Sequence, residues 1–144
     1  MRVSHGLRVV IGDPDAPARA AVREVLQHDG CEVVAEAASA AAAVRATLAL
    51  RPDVAVLEVL LPGGGIPAAT RISRQAPRTA VVMLTTSERD QDLVAALRAG
   101  AGGYLLKEMD PAGLAARLHR IVAGEVILPR SLRRGVAERL AVRA

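Results

Sequence analysis

The sequence predicts an α/β fold: a five-stranded parallel sheet with helices on both faces, doubly wound, followed by a C-terminal helix. Five short apolar runs, at 7–12, 32–37, 53–58, 79–85 and 103–106, alternate with longer stretches of helical period. Several runs are apolar at almost every position, as in Val54-Ala55-Val56-Leu57 and Ala80-Val81-Val82-Met83-Leu84. Strands covered on both faces have this pattern, whereas half-exposed strands alternate. A strand–helix order repeated five times leaves little besides right-handed crossovers in an open parallel sheet.

The helices have readable ends. Pro17 opens the first, which carries Ala21, Val22, Val25 and Leu26 on one side and stops near Asp29-Gly30. Ser39 caps the second, which reaches about Arg51 and must stop before Pro52. Pro67 opens the third. Ser87 with Asp90 three residues on has the spacing of a capping box for the fourth, which ends at Gly100. Asp110-Pro111 caps and starts the fifth, ending near Gly124. After Pro129 a sixth amphipathic stretch, 130–142, repeats apolar Leu132, Val136 and Leu140 every four residues. The organisation expected is one domain over 7–128 and a linker or extra helix over 129–144.

Composition narrows the classes. Of the 144 residues, 51% are hydrophobic but only 1% aromatic, so the core is aliphatic. The charged fraction of 24% with regular apolar spacing excludes a disordered chain. No apolar run approaches the roughly 20 residues that span a bilayer, so no membrane partner is expected. A single cysteine, Cys31, excludes a disulfide framework and suits the cytosol; its place at the start of the second strand implies burial. Charge is uneven: residues 1–110 hold 12 Lys and Arg against 13 Asp and Glu, while 111–144 hold 7 Arg against 2 Glu. A basic arm and a solvated helix face both fit that asymmetry. His5, His28, His119 and Cys31 share no metal-ligand spacing. Gly100-Ala-Gly102-Gly103 follows a helix and precedes a strand, the reverse of a dinucleotide fingerprint, and Gly63-Gly64-Gly65 lacks the Lys-Ser/Thr of a phosphate-binding loop.

In an open α/β sheet the functional crevice lies beyond the carboxyl ends of the strands. Those ends deliver Asp13, Glu58, Thr85 and Lys107 from four separate segments. Two acids, a hydroxyl and an ammonium of complementary chemistry point to a phosphate or divalent-metal site. A phosphatase-like hydrolase is a poor match, because its nucleophile would be a glutamate.

Four stretches carry a resemblance: Leu7–Asp13 (LRVVIGD), Arg51–Pro62 (RPDVAVLEVLLP), Val82–Thr86 (VMLTT) and Ala96–Lys107 (ALRAGAGGYLLK). Through them the chain resembles the receiver domain of bacterial two-component response regulators, in the subgroup with a LuxR-type helix-turn-helix output. The resemblance implies a flavodoxin-like fold and a regulatory role rather than an enzyme's. It further implies a phosphoacceptor aspartate after the third strand, charged by a histidine kinase. Mg²⁺ would be held by two acids after the first strand, the phosphoacceptor and a nearby carbonyl. A hydroxyl and a lysine contact the phosphoryl group, and an aromatic turns inward when the hydroxyl is engaged. Carried over, Asp13 is the first acid, Leu60 the carbonyl, Thr85 the hydroxyl, Lys107 the lysine and Tyr104 the aromatic.

Two positions depart. Glu58 stands at the phosphoacceptor position, and Pro14 at the second acid, with Asp15 displaced by one residue. A glutamate carboxylate reaches about 1.5 Å farther than an aspartate's, and in-line attack misplaced by about 1 Å can cost on the order of 100-fold. A Mg²⁺ site made of Asp13, Glu58 and Leu60 is weakened by the lost carboxylate. The longer Glu58 can instead meet Lys107 and Thr85 directly. Two readings stay open: a built-in partial mimic of the phosphorylated state, or a degenerate receiver without a working switch. The whole is either the regulatory part of a LuxR-type transcriptional regulator, acting on DNA through an output domain outside this chain, or a stand-alone interaction adaptor. A homodimer is expected, using apolar surface from Ala95, Leu97, Leu114, Leu118 and Ile121.

Overall fold

A computed structural model of the protein describes residues 6–132. Five parallel strands form one sheet: β1 (Arg8–Gly12), β2 (Glu32–Ala37), β3 (Val54–Leu57), β4 (Ala80–Thr85) and β5 (Gly103–Leu106). Their spatial order is β2-β1-β3-β4-β5. The helices between and after them are α1 (Ala16–His28), α2 (Ala40–Leu50), α3 (Gly65–Gln75), α4 (Asp90–Arg98) and α5 (Leu114–Val122).

The continuous apolar strands divide their side chains between two cores. Val9, Ile11, Val54, Val56, Val82, Leu84 and Leu105 pack with Leu26 of α1 and with Leu114, Leu118 and Ile121 of α5. Ala55, Leu57, Val81, Met83, Tyr104 and Leu106 pack on the other face with α2, α3 and α4. The period of two is therefore present but hidden, because both faces are buried.

α3 starts at Gly65 rather than at Pro67, and the other helix ends follow local chemistry with two corrections. The Asp15 carboxylate accepts from the Ala18 amide at 3.0 Å and caps α1, which starts at Ala16 with Pro17 in its first turn. The Ser39 hydroxyl accepts from the Ala42 amide at 3.2 Å and caps α2. The capping box expected from Ser87 and Asp90 does not form. α4 begins at Asp90 with no side-chain cap, because the Ser87 hydroxyl instead donates to Asp92 Oδ2 at 2.6 Å. The second correction concerns Asp110, which caps a 3₁₀ turn over Pro111–Gly113 before α5 begins at Leu114.

The expected dimer surface is largely consumed by folding. Leu114, Leu118 and Ile121 are only 3%, 0% and 4% exposed against the sheet. They face inward because the amphipathic stripe of α5 must cover β4 and β5, leaving Ala95 and Leu97 as the partly exposed members of that set. Of the sixth amphipathic stretch, Val136 and Leu140 lie outside the described residues. Among the described residues no helix is long and apolar enough to cross a membrane.

Candidate functional site

β1 has a strand on either side, and its successors leave in opposite directions, so the crevice opens beyond the carboxyl ends of β1 and β3. Asp13 follows β1, Glu58 follows β3, Thr85 ends β4 and Lys107 follows β5. The parallel register delivers all four to one end of the sheet.

There they form a single charged cluster. The Lys107 ammonium lies 2.6 Å from Asp13 Oδ2 and 2.9 Å from Glu58 Oε1. Glu58 Oε2 accepts from the Thr85 hydroxyl and from the Leu60 amide at 3.1 Å. The carboxylates are almost wholly shielded, with side-chain exposures of 7% for Asp13 and 4% for Glu58. Burial raises the Glu58 pKa, but the hydrogen bonds from Thr85, Lys107 and Leu60 outweigh it and leave the carboxyl below its ordinary value. Burial likewise opposes the Lys107 charge, and the two acids overcome it, so its pKa is raised.

The signs fix a pH profile. A depressed carboxyl stabilises the fold above its ordinary pKa, and that contribution is lost as pH falls through the lowered folded value. A raised ammonium stabilises below its ordinary pKa, with loss as pH rises through the raised folded value. Urea titrations across pH are therefore expected to show a plateau through neutrality and an acid limb that is shallower in Glu58→Gln. An acid limb of unchanged steepness in that variant contradicts the assignment.

Second-rank contacts hold the acids in place. The Asp15 amide donates to Asp13 Oδ1 at 2.9 Å, and the Arg19 guanidinium donates to the Asp13 carbonyl at 2.6 Å. The loop after Glu58 closes tightly over it. A Cβ on Gly65 would sit 2.1 Å from the Glu58 carbonyl oxygen, and Gly63 and Gly64 have φ of 92° and 95°. The glycine run thus serves backbone approach rather than phosphate binding.

Thr85 also begins a relay. Its oxygen accepts from the Ser87 amide at 3.2 Å, and the Ser87 carbonyl accepts from the Tyr104 hydroxyl at 3.0 Å. Tyr104 is 0% exposed, turned into the core between β4 and α4. Burial pushes its phenol up against the bond to Ser87, with the charges of Asp92 and Glu58 adding to the rise, so it stays a donor. Crevice, Ser87 and α4 are therefore one hydrogen-bonded chain. The roles of Ser87 and Asp92 were not visible in the sequence; the Ser-x-x-Asp spacing suggested a cap instead.

Asp15 does not join the cluster, since its carboxylate caps α1 and is exposed. The remaining donors do not fit Mg²⁺ as arranged. All four oxygens of Asp13 and Glu58 already have partners, and no group of three His, Cys, Asp or Glu converges among the described residues. Mg²⁺ requires near-octahedral oxygen ligands, while here the Lys107 ammonium sits between the acids and supplies the positive charge. Millimolar Mg²⁺ is expected to leave the thermal midpoint unchanged; a saturable upward shift contradicts this. Cys31 is buried, which pushes its thiol pKa up.

The chain has known relatives. The family described as "Response regulator receiver domain" matches residues 9–119. The nitrate/nitrite response regulator NarL of Escherichia coli K12 is 34% identical over 69% of this chain and 47% of its own length. A nitrate/nitrite response regulator homologue of Haemophilus influenzae is 30% identical over 92% of this chain and 65% of its own. The chain thus spans about half to two thirds of the length of these relatives. A crystal structure of a two-component response regulator of the LuxR family from Aurantimonas sp. SI85-9A1 superposes with a TM-score of 0.86 at 30% identity. That match covers 94% of this chain and 99% of the other. Sheet order and these likenesses agree, and the chain belongs to the response-regulator receiver domain family, in its LuxR-type subgroup.

Proposed function

We propose that this chain is an atypical receiver whose Glu58 takes the place of a phosphorylated aspartate and holds the switch engaged without phosphoryl transfer. The observation that carries the reading is the double engagement of one buried carboxylate: Glu58 meets Lys107 and Thr85 together while Tyr104 is fully inside. A mimic shifts an equilibrium only by its differential interaction with the two states. Glu58 supplies that difference, because the Thr85 hydroxyl and the relay to Tyr104 depend on its reach.

On this reading the chain is regulatory and cytoplasmic, catalyses no reaction and needs no histidine kinase. Residues 7–128 are the receiver, and 129–144 lead toward a DNA-binding output domain of the kind the LuxR-type relatives' class implies. It acts as a homodimer, for which light scattering over a dilution series is the check: a monomer at every concentration contradicts it. The chemical half is tested by incubating the protein with Mg²⁺ and acetyl phosphate and weighing it intact. No phosphoryl adduct is expected; a stable adduct on Glu58 overturns the reading.

A further inference from the structure

The segment after α5 does not simply leave the domain. Ile127 forms a parallel bridge with Gly103. Its carbonyl accepts from the Tyr104 amide at 2.9 Å, and its amide donates to the Gly102 carbonyl at 3.2 Å. Ile127 therefore lies beside the start of the outer edge of β5, where it satisfies the Tyr104 amide and the Gly102 carbonyl. Leu128 then packs against the core cluster that contains Tyr104, Leu93, Val94 and Leu106, and Leu132, only 6% exposed, is a member of that cluster. Gly103 makes room for α5, since a Cβ there would lie 2.4 Å from Ile121 Cδ1, while the Ile127 carbonyl oxygen stands 3.6 Å from the same point, an ordinary contact. Val126, directly before these anchors, is 63% exposed.

We propose that residues 125–132 are a strap that docks on the β5 edge and on the face behind Tyr104, and that its grip depends on Tyr104 being inside. This rests on the reading of Tyr104 as the moving part of the switch. The strap bonds the Tyr104 backbone directly, sets Leu132 into the cluster that the ring completes and packs Leu128 against it. When the ring leaves, that cluster loses its largest member and the leucines lose their seat. Whatever follows residue 132 is thus anchored at a point set by the crevice. Coupling of this kind is reciprocal: if an inward Tyr104 stabilises the strap, the strap stabilises an inward Tyr104 by the same factor.

Tyr104 is the only aromatic residue in the chain, so tyrosine fluorescence reports on it alone. Leu128→Glu with Leu132→Glu is expected to raise acrylamide quenching of Tyr104 several-fold, and Val126→Glu to leave it unchanged. Ile127→Pro, which deletes the donor to Gly102, gives a gentler version of the same rise. Slow hydrogen exchange at the Val56 amide checks that the sheet persists in each variant. In the other direction, Thr85→Val is expected to speed exchange of the Ile127 amide several-fold. Wild-type quenching in both strap variants overturns the strap, whatever Glu58→Gln does to the ring. A ring exposed by the strap variants but still shielded in Glu58→Gln upholds the strap and overturns the mimic.

Discussion

Replacing Lys107 with methionine is expected to lower the unfolding free energy at neutral pH by about 3 kcal/mol, the low end of the range for breaking a buried ion pair. The variant leaves Asp13 and Glu58 facing each other with side-chain exposures of 7% and 4% and no cation between them. Lys107 itself is 24% exposed, so solvent screens part of the loss. The pH dependence carries the distinctive sign. Two shielded carboxylates without a cation share a proton, which raises a carboxyl pKa in the folded variant. Its stability is therefore expected to rise as pH falls from neutrality, opposite to the acid limb of the wild type. Urea unfolding at several pH values reads both effects, and a variant that loses stability on acidification as the wild type does contradicts the bridging role of Lys107.

Glu58→Gln is the second large effect. Glutamine keeps the length and an acceptor for Thr85 and the Leu60 amide, but loses the charge. Lys107 still has Asp13 at 2.6 Å, so the ammonium is not orphaned and the fold survives. Hydrogen bonds to a charged group contribute about 1.5–3 kcal/mol. If about 2 kcal/mol of that favours the engaged arrangement, its loss moves the ratio of inward to outward Tyr104 by about 30-fold. Acrylamide quenching of the single tyrosine is the measurement, and unchanged shielding contradicts the bias assigned to the Glu58 charge.

The sheet was legible because its strands carry unmistakable chemistry: both-face burial needs apolar residues at nearly every position, and Val54–Leu57 or Ala80–Leu84 has no other economical use. The strand ends were legible for a related reason. Polar residues that terminate such runs must emerge together at one edge, which located Asp13, Glu58, Thr85 and Lys107. What the sequence could not convey was how competing partners are allotted. Asp15 could face the crevice or cap α1, and the free amides of the first turn claim it. Ser87 could cap α4 or bond Asp92, and its carbonyl's bond to Tyr104 fixes its position for the second. The leucines of α5 could cover the sheet or a partner, and covering the sheet wins because β4 and β5 have no other lid on that face. The strap was missed because Val126-Ile127-Leu128 is too short to register as a strand, although Pro129 directly after an apolar triplet was a signal that an edge segment ended there.

The central claim is that one methylene of reach decides the state of the switch, and Glu58→Asp isolates it, since charge is kept and only length is lost. Withdrawing the carboxylate by about 1.5 Å takes it beyond hydrogen-bond range of the Thr85 hydroxyl. Acrylamide quenching of Tyr104 in Glu58→Asp, measured without any phosphodonor, is predicted to rise to the level of Thr85→Val. Quenching that stays at the wild-type level would contradict the account, because the ring would then be held inside by packing alone.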